Sequence, residues 1–146
     1  MKNKKEIIVA VSGYFNPVHI GHIRMFKHAK KIGDKLIVII NNDNQVKLKG
    51  SVQFMNEKER VEIISALKLV DKVILSIDKD KTVCKTLKLI KPHIFAKGGD
   101  SNQKNTPEVD ICKEINCKVI FNIGRGGKIQ SSSWLIENAK INNKNM

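Results

Sequence analysis

The sequence predicts an α/β fold: a Rossmann-like, doubly wound, five-stranded parallel sheet with helices on both faces. Short apolar runs rich in β-branched residues alternate with helical segments along the chain, without a repeat or an internal linker. Strands that alternate with helices favour a parallel sheet, because each crossover returns the chain in the same direction. With 146 residues, 41% of them hydrophobic, the chain suffices for one core. We therefore expect a single domain over 1–146, with flexible ends at 1–5 and 141–146.

The first half of the chain supplies two strands and the helix between them. The first strand is Ile7 to Val11, and a turn rich in Gly and Pro follows it. A helix then begins at His19 and His22. The second apolar strand is Leu36 to Ile40, and the polar residues Asn41 to Gly50 are expected to form a loop after it.

In the second half, Asn56 is expected to cap a helix, with Glu59 placed for a capping box and with Val61, Ile63, Ile64 and Leu67 on its apolar face. Val73 to Leu75 form a third strand. A helix from about Thr82 to Ile90 follows and ends before Pro92. The remaining predicted elements are a strand from His93 to Ala96, a helix from Thr106-Pro107, a strand from Val119 to Phe121 and a last helix from near Ser131.

The turn from Gly13 to His22 carries the clearest chemical signal in the sequence. His19 and His22 are three residues apart at the start of a helix, so both imidazoles can face one ligand. The first N–H groups of a helix and its dipole favour an anion there, and Gly21 lets a phosphate approach the backbone closely. Two histidines and a glycine also occur together by chance. The order of strand, turn and helix favours the phosphate interpretation.

Residues 13–22, GYFNPVHIGH, resemble the first signature, GxF(D/N)xxHxGH, of the cytidylyltransferase-like nucleotidyltransferase superfamily. That family joins a nucleoside triphosphate to a phosphorylated acceptor and releases pyrophosphate. Glu57 to Arg60 is similar to the family's ExxR segment, and Ser131 to Ser133 to its C-terminal serine and threonine signature. Lys97 to Asp100 is closest to the KGGD of the heptose-phosphate adenylyltransferase domain, where glycerol-phosphate cytidylyltransferases usually have GDDW. The resemblance covers almost the whole chain and favours a sugar phosphate as the acceptor.

The resemblance implies a role for each matching residue. His19 and His22 would hold the triphosphate and stabilise the transition state as hydrogen-bond donors, with Lys47 as a further catalytic residue. Lys47 or Lys49 would bind the acceptor phosphate together with Arg60, since either lysine can occupy the family position. The nucleotide-binding residues would be Gly13, Tyr14, Phe15, Asn16, His19, Gly21, His22, Lys97, Gly99, Asp100, Ser131, Ser132 and Ser133.

Topology points to the same residues independently of the family. In open parallel sheets, ligands bind at the carboxyl ends of the strands. The predicted strands one, two, four and five are followed by four polar segments, which are Gly13 to His22, Asn41 to Gly50, Lys97 to Asp100 and Gly124 to Ser133. We expect these segments to line one cleft.

Two positions depart from the family pattern. Asn16 stands where the glycerol-phosphate and heptose-phosphate enzymes usually have Asp, although nicotinate and nicotinamide mononucleotide adenylyltransferases can have Asn there. The arginine that often precedes the serine signature is out of register, so Arg125 or Lys128 would replace it.

Each assignment also has a purely structural alternative. Arg60 could be a surface residue paired with Glu57, Lys47 could be a solvated charge, and the serine run could cap a helix. We interpret His28 as lying on a polar helix face and Trp134 as packing the last helix.

Charge and composition limit the classes of partner. The net charge of +13 would suit nucleic acid, but the lysines are scattered and aromatic residues make up only 5%, so there is no stacking platform. A positive field also attracts triphosphates and sugar phosphates. No apolar run approaches the roughly 18 residues of a membrane span, so we expect a cytoplasmic protein without a membrane partner.

The sequence predicts no metal site of its own. The cysteines Cys84, Cys112 and Cys117 lack metal-site spacing, and no cluster of carboxylates is placed to coordinate a metal ion. Mg²⁺ would therefore be carried by the triphosphate.

The resemblance implies transfer of AMP or CMP from ATP or CTP to a phosphorylated sugar or polyol, by direct in-line attack and with release of pyrophosphate. One alternative is a mononucleotide adenylyltransferase of cofactor biosynthesis, for which the chain is short. The other is a non-catalytic module that binds nucleotide or nucleic acid. Class I aminoacyl-tRNA synthetases share the HIGH sequence, but 146 residues leave no room for tRNA recognition. Homodimers are common in the family, so a homodimer is a further expectation. The sequence identifies neither the base nor the acceptor.

Overall fold

The computed structural model describes residues 5–99 and 101–124, which form an all-parallel, five-stranded sheet in the order β3-β2-β1-β4-β5. This confirms the predicted doubly wound architecture. The elements are β1 (Ile8–Gly13), α1 (Ile20–Lys31), β2 (Lys35–Ile40), α2 (Asp43–Lys49), α3 (Glu57–Ser65), β3 (Lys72–Leu75), α4 (Cys84–Ile90), β4 (Ile94–Gly98), α5 (Val109–Glu114) and β5 (Lys118–Ile123). The strand order reverses between β1 and β4, where ligands bind in folds of this kind.

Successive apolar side chains of β1 point to opposite faces of the sheet, and a separate layer of helices covers each face. Val9 and Val11 belong to one buried cluster, together with Phe26 of α1 and Ile64 of α3. Ala10 belongs to a second cluster on the opposite face, which includes residues of α4 and α5. Successive side chains of a strand point to opposite faces, so a strand that is apolar throughout is buried on both sides.

The predicted loop after the second strand is wrong, because α2 occupies most of it. The Asn42 side-chain oxygen accepts from the Gln45 amide at 2.9 Å, and Gln45 Oε1 accepts from the Asn42 amide at 2.9 Å. This reciprocal capping box satisfies two N–H groups that a helix start otherwise leaves unpaired. Gly50 ends the helix in the left-handed region, with φ of 77°.

The helix after Asn56 has the predicted N-cap but differs from the prediction in two respects. The Glu59 side chain accepts from the Asn56 side-chain amide at 3.5 Å rather than from its backbone amide as a capping box requires, and one face differs. The Asn56 side-chain oxygen accepts from the Glu59 amide at 2.9 Å, as expected of an N-cap. Ile64 is buried, whereas Ile63, expected on the same apolar face, is exposed.

The other predicted boundaries shift by about one to three residues at either end. α4 begins at Cys84 rather than Thr82, and the Asp78 carboxylate accepts from the amides of Lys85 and Thr86 at its first turn. α5 begins at Val109, after the predicted Thr106-Pro107 start. None of the helices that the structure describes is long and apolar enough to span a membrane.

Candidate active site

The two histidines form the start of α1 and hold each other in place. His19 is the N-cap, and its Nδ1 accepts from the Gly21 amide at 3.1 Å. His22 Nδ1 accepts from the His19 amide at 3.0 Å, so the pair builds a capping box out of imidazoles. The rings stack with their centroids 3.8 Å apart. The backbone therefore fixes both rings before any ligand binds.

This arrangement also fixes the proton positions on the neutral rings. Because each Nδ1 accepts a backbone hydrogen bond, each neutral ring carries its proton on Nε2, which makes Nε2–H a donor. Burial lowers the pKa of His22 to about 3, and the charges of His19 and Lys49 contribute in the same direction. At neutral pH, His22 is thus a neutral hydrogen-bond donor.

The low pKa of His22 predicts a loss of stability in acid. The unfolded chain takes up a proton near the ordinary histidine pKa of 6.5, whereas the folded chain resists it down to about 3. The unfolded state therefore binds more protons between these values, and stability falls as the pH decreases from 6.5 towards 3. Urea unfolding at pH 7 and pH 4 measures this loss. We expect a smaller loss in a His22→Gln variant, and an equal loss would contradict the assignment.

Phe15 supports the histidine pair from the core. Its buried ring lies edge-on to His22, with centroids 4.7 Å apart, and also contacts Phe26. A Cβ at Gly13 would lie 2.8 Å from the Phe15 ring, so Gly13 makes room for that ring. The structure thus places these two predicted nucleotide-binding residues in the packing beneath the site.

Asn16 links the turn after β1 to the loop at 52–55 through hydrogen bonds. Its Nδ2 donates to the Val52 carbonyl at 2.6 Å, and its Oδ1 accepts from the amides of Phe54 and Met55 at 2.7 and 3.2 Å. The residue is buried. Its amide is committed to these backbone groups, which gives Asn16 a structural role, and its contact with nucleotide stays a prediction. An Asp here would lose the donor to Val52.

Arg60 is fully buried, with 0% of its surface exposed. Its Nη1 donates to the carbonyls of Tyr14 at 2.8 Å and Asn41 at 2.6 Å, and its Nε donates to the Met55 carbonyl at 3.1 Å. Its Nη2 forms a 2.8 Å ion pair with Asp43. These four bonds use four of the five N–H donors of the guanidinium. They give Arg60 a structural role, and its contact with an acceptor phosphate stays a prediction.

The alternative interpretation, a surface pair between Arg60 and Glu57, is wrong, because Arg60 is buried and pairs with Asp43. Glu57 Oε1 instead accepts from the Asp43 amide at 2.9 Å. Asn42 Nδ2 donates to the carbonyls of Ser76 and Asp78, both at 3.0 Å, so the start of α2 is tied to the end of β3 as well. Sequence analysis did not assign these linking residues, although the capping-box spacing of Asn42 was a usable signal.

The two candidate lysines of α2 lie in different places. The Lys49 ammonium lies 4.4 Å from the centroid of the Tyr14 ring, and its charge contributes to the low pKa of His22. Lys47 is exposed and lines an open pocket of about 420 Å³. The described contacts therefore bring Lys49, rather than Lys47, to the histidine pair.

Lys97 and its glycines form the end of β4. Burial lowers the pKa of Lys97, while the charge of Glu108 acts in the opposite direction. A Cβ at Gly98 would lie 3.3 Å from the sulfur of Met25, so this glycine lets α1 pack closely on the sheet. Gly99 has φ of 63°, a left-handed conformation that glycine adopts without strain.

His28 connects α1 to the end of β5. It is exposed on the helix as interpreted from the sequence, and its Nδ1 also accepts from the Gly124 amide at 2.8 Å. The predicted residues Asp100, Arg125, Lys128, Ser131, Ser132, Ser133 and Trp134 lie outside the described residues. In the part that is described, no three His, Cys, Asp or Glu side chains are grouped so that they could hold a metal ion.

The model of the family described as cytidylyltransferase-like matches residues 10–137. The chain belongs to this family of nucleotidyltransferases. A bifunctional protein HldE from Aliarcobacter butzleri is 34% identical to this cytidylyltransferase-like protein over 145 residues, which cover 98% of this chain and 30% of that protein. An FAD synthase from Thermoplasma volcanium is 33% identical over 132 residues, 87% of this chain and 89% of the synthase.

Solved structures show the same fold. The structure described as the lipopolysaccharide core biosynthesis protein of Thermoplasma volcanium matches with a TM-score of 0.70 and 32% identity, over 81% of this chain and 97% of that one. The cytidylyltransferase-like chain spans less than a third of the length of the HldE relatives that it matches.

Proposed function

We propose that this protein transfers a nucleotidyl group from a nucleoside triphosphate to a phosphorylated sugar or polyol and releases pyrophosphate. The observation that carries the proposal is the stacked pair His19 and His22, held through Nδ1 at the start of α1. Two N–H donors fixed at a helix N-terminus, beside the strand switch point, suit the charge that develops on a phosphate in transfer.

The reaction needs positioning and charge stabilisation rather than a covalent intermediate. An acceptor phosphate oxygen attacks the α-phosphorus and forms the new P–O bond, while the bond to the bridging oxygen breaks and its electron pair leaves with pyrophosphate. The Nε2–H groups of His19 and His22 would donate to the triphosphate, and Lys49 would neutralise charge beside them. Mg²⁺ would arrive with the triphosphate and supply further neutralisation.

ATP is the nucleoside triphosphate that we propose. FAD contains an adenosine phosphate, and the relatives named FAD synthase include one that matches this chain over 89% of its own length. Lys97 to Asp100 resembles the heptose-phosphate adenylyltransferase domain, which also uses an adenine nucleotide. CTP is the alternative donor.

A second candidate acceptor is flavin mononucleotide, which adenylylation would convert to FAD. The similarity to FAD synthases supports it as strongly as the similarity to HldE supports a sugar phosphate. Both candidates are phosphate esters, so both present the same nucleophile. A mononucleotide adenylyltransferase and a binding module without turnover remain the competing functions.

Pyrophosphate release with Mg²⁺ tests the proposal. ATP, CTP, GTP and UTP are each combined with sugar 1-phosphates, glycerol 3-phosphate, flavin mononucleotide and nicotinamide mononucleotide. Release that needs one triphosphate and one sugar or polyol phosphate supports the proposed reaction, and release only with flavin or nicotinamide mononucleotide selects a competing acceptor. Nucleotide binding without release in any combination would contradict the transferase.

Lys47 and Lys49 provide a matched pair of variants, because they carry the same charge two residues apart on α2. We expect Lys49→Met to lower kcat/KM by about 10- to 100-fold, the loss expected for one charged hydrogen bond. Lys47→Met should have a much smaller effect. Steady-state kinetics with the preferred substrates measure both, and the reverse order would return the catalytic role to Lys47.

A further inference from the structure

The end of α2 and the turn after β1 meet in a contact between a cation and an aromatic ring. The Lys49 ammonium lies 4.4 Å from the centroid of the Tyr14 ring. Lys49 is the last residue of α2 and is exposed, whereas Tyr14 is half-buried. A ring face attracts an ammonium that lies within about 6 Å of its centroid, so this contact restrains Lys49 against the turn.

The proposed mechanism uses the charge of Lys49 but does not explain what holds that charge in place. A lysine ammonium is carried on a long flexible stem, so without restraint it is seldom in any one position. A carboxylate partner would restrain it but would also neutralise the charge that a phosphate requires. An aromatic ring attracts the ammonium through its quadrupole and has no net charge. The Tyr14 ring therefore restrains Lys49 without neutralising it.

The Tyr14 backbone is itself held by buried groups. Its carbonyl accepts from Arg60 Nη1 at 2.8 Å, and Arg60 is fully buried. The next residue, Phe15, is buried as well, and its ring lies 4.7 Å from that of His22. The same turn then leads to His19, the N-cap of α1. A lysine restrained on the Tyr14 ring is thus restrained relative to the histidine pair.

Lys47 shows what the same helix provides without the ring. It lies two residues before Lys49, and side chains two apart on a helix point in different directions. Lys47 is exposed and lines an open pocket, and none of the described residues that line this pocket is aromatic. The aromatic contact therefore distinguishes the two lysines.

We propose that Tyr14 is a positioning residue, whose ring holds the Lys49 ammonium beside the histidine pair, ready for the charge that develops on the transferred phosphate. This inference rests on the proposed function, because it concerns a lysine of the same site. A charge that is already in place needs no reorganisation when the transition state forms. The role requires the ring at position 14 and not its hydroxyl group, so phenylalanine should serve and an aliphatic residue should not.

A double-mutant cycle in steady-state kinetics tests this role. Tyr14→Leu should lower kcat/KM by about 3- to 10-fold, the range that corresponds to a partly exposed cation–π contact. Tyr14→Phe should recover most of this loss. In a Lys49→Met background, Tyr14→Leu should cause no further loss, whereas in a Lys47→Met background it should cause the full loss. An equal loss with and without Lys49, or no recovery in Tyr14→Phe, overturns the inference, because Tyr14 would then act independently of the lysine.

Nuclear magnetic resonance of protein with ¹³C-labelled lysine measures the contact without turnover. Protons that lie over a ring face are shifted upfield by its ring current, and the Lys49 ε-methylene peak is identified by its absence in Lys49→Met. We expect an upfield peak in the wild type and in Tyr14→Phe, and a return towards the position of the Lys47 peak in Tyr14→Leu. A wild-type Lys49 peak that Tyr14→Leu does not move overturns the inference. A ring-dependent peak in a protein that releases no pyrophosphate counts against the proposed function alone.

Discussion

Replacing His19 by Asn, or His22 by Gln, is expected to lower kcat by about 10²–10³-fold, as when one preorganised donor is removed from a transition state. The substitutions are chosen to leave the helix start intact. An Asn at the N-cap can still accept from the Gly21 amide, and a Gln at the third helical position can still accept from the His19 amide. Each variant keeps the capping box but exchanges the fixed imidazole Nε2–H for a rotatable side-chain amide, whose N–H groups are not held in the same position.

Turnover, nucleotide affinity and urea unfolding of these two variants separate catalysis from folding. We expect the free energy of unfolding at pH 7 to change by less than about 1 kcal/mol, the usual scale of an N-cap. His19→Ala serves as the comparison, because it removes both the donor and the cap and should lose stability as well as activity. If His19→Asn and His22→Gln turned over like the wild type, the histidines would be structural caps only.

The strands were predictable because a strand that is buried on both faces is a continuous run of apolar residues in the sequence. The run that forms β1 is apolar and β-branched, since α1 and α3 cover one side of it and α4 and α5 the other. The motif order along the chain then predicted the edge of the sheet at which a ligand would bind. The histidine pair could be placed at a helix start, but its capping box of imidazoles required coordinates.

The short helix α2 was missed because its sequence is polar and only two residues of it are buried. Periodicity carries little information over seven residues, and the box formed by Asn42 and Gln45 was the one local signal. This omission affected the site prediction. The helix turns Lys49 towards Tyr14 and gives Lys47 a different environment, a distinction that spacing along the chain does not contain.

Glu108 and Arg60 show why burial of charged groups is hard to predict. A charged residue in a sequence is most often solvated, so Glu108 was left unassigned, and Arg60 was expected to bind the acceptor phosphate or to lie at the surface beside Glu57. The partners of Arg60 come from distant segments: Asn41 is 19 residues away and Tyr14 is 46 residues away. Only the folded arrangement reveals that Arg60 is enclosed by these groups and that Glu108 is buried as well.

The buried hydrogen-bond network of Arg60 leads to the second large expected effect. Arg60→Met should lower the free energy of unfolding by about 3–5 kcal/mol, as when one partner of a buried polar network is removed. The substitution leaves the carbonyls of Tyr14, Asn41 and Met55 without their donor and removes the ion pair to Asp43. Arg60→Lys should recover little, because a single ammonium cannot reproduce the directions of the planar guanidinium.

Urea unfolding of Arg60→Met is compared with that of Lys58→Met, which removes the same charge from an exposed position of α3. The control should change the free energy of unfolding by less than about 0.5 kcal/mol.

Steady-state kinetics, at a temperature where both variants are folded, then distinguish a structural role of Arg60 from a role in binding the acceptor phosphate. If Arg60 is structural, its loss should lower stability greatly and also lower kcat, because the segments that carry Tyr14 and Asp43 would no longer be linked through its guanidinium. A direct phosphate ligand predicts near-normal stability with a raised KM for the acceptor, and that result would support the predicted phosphate-binding role of Arg60.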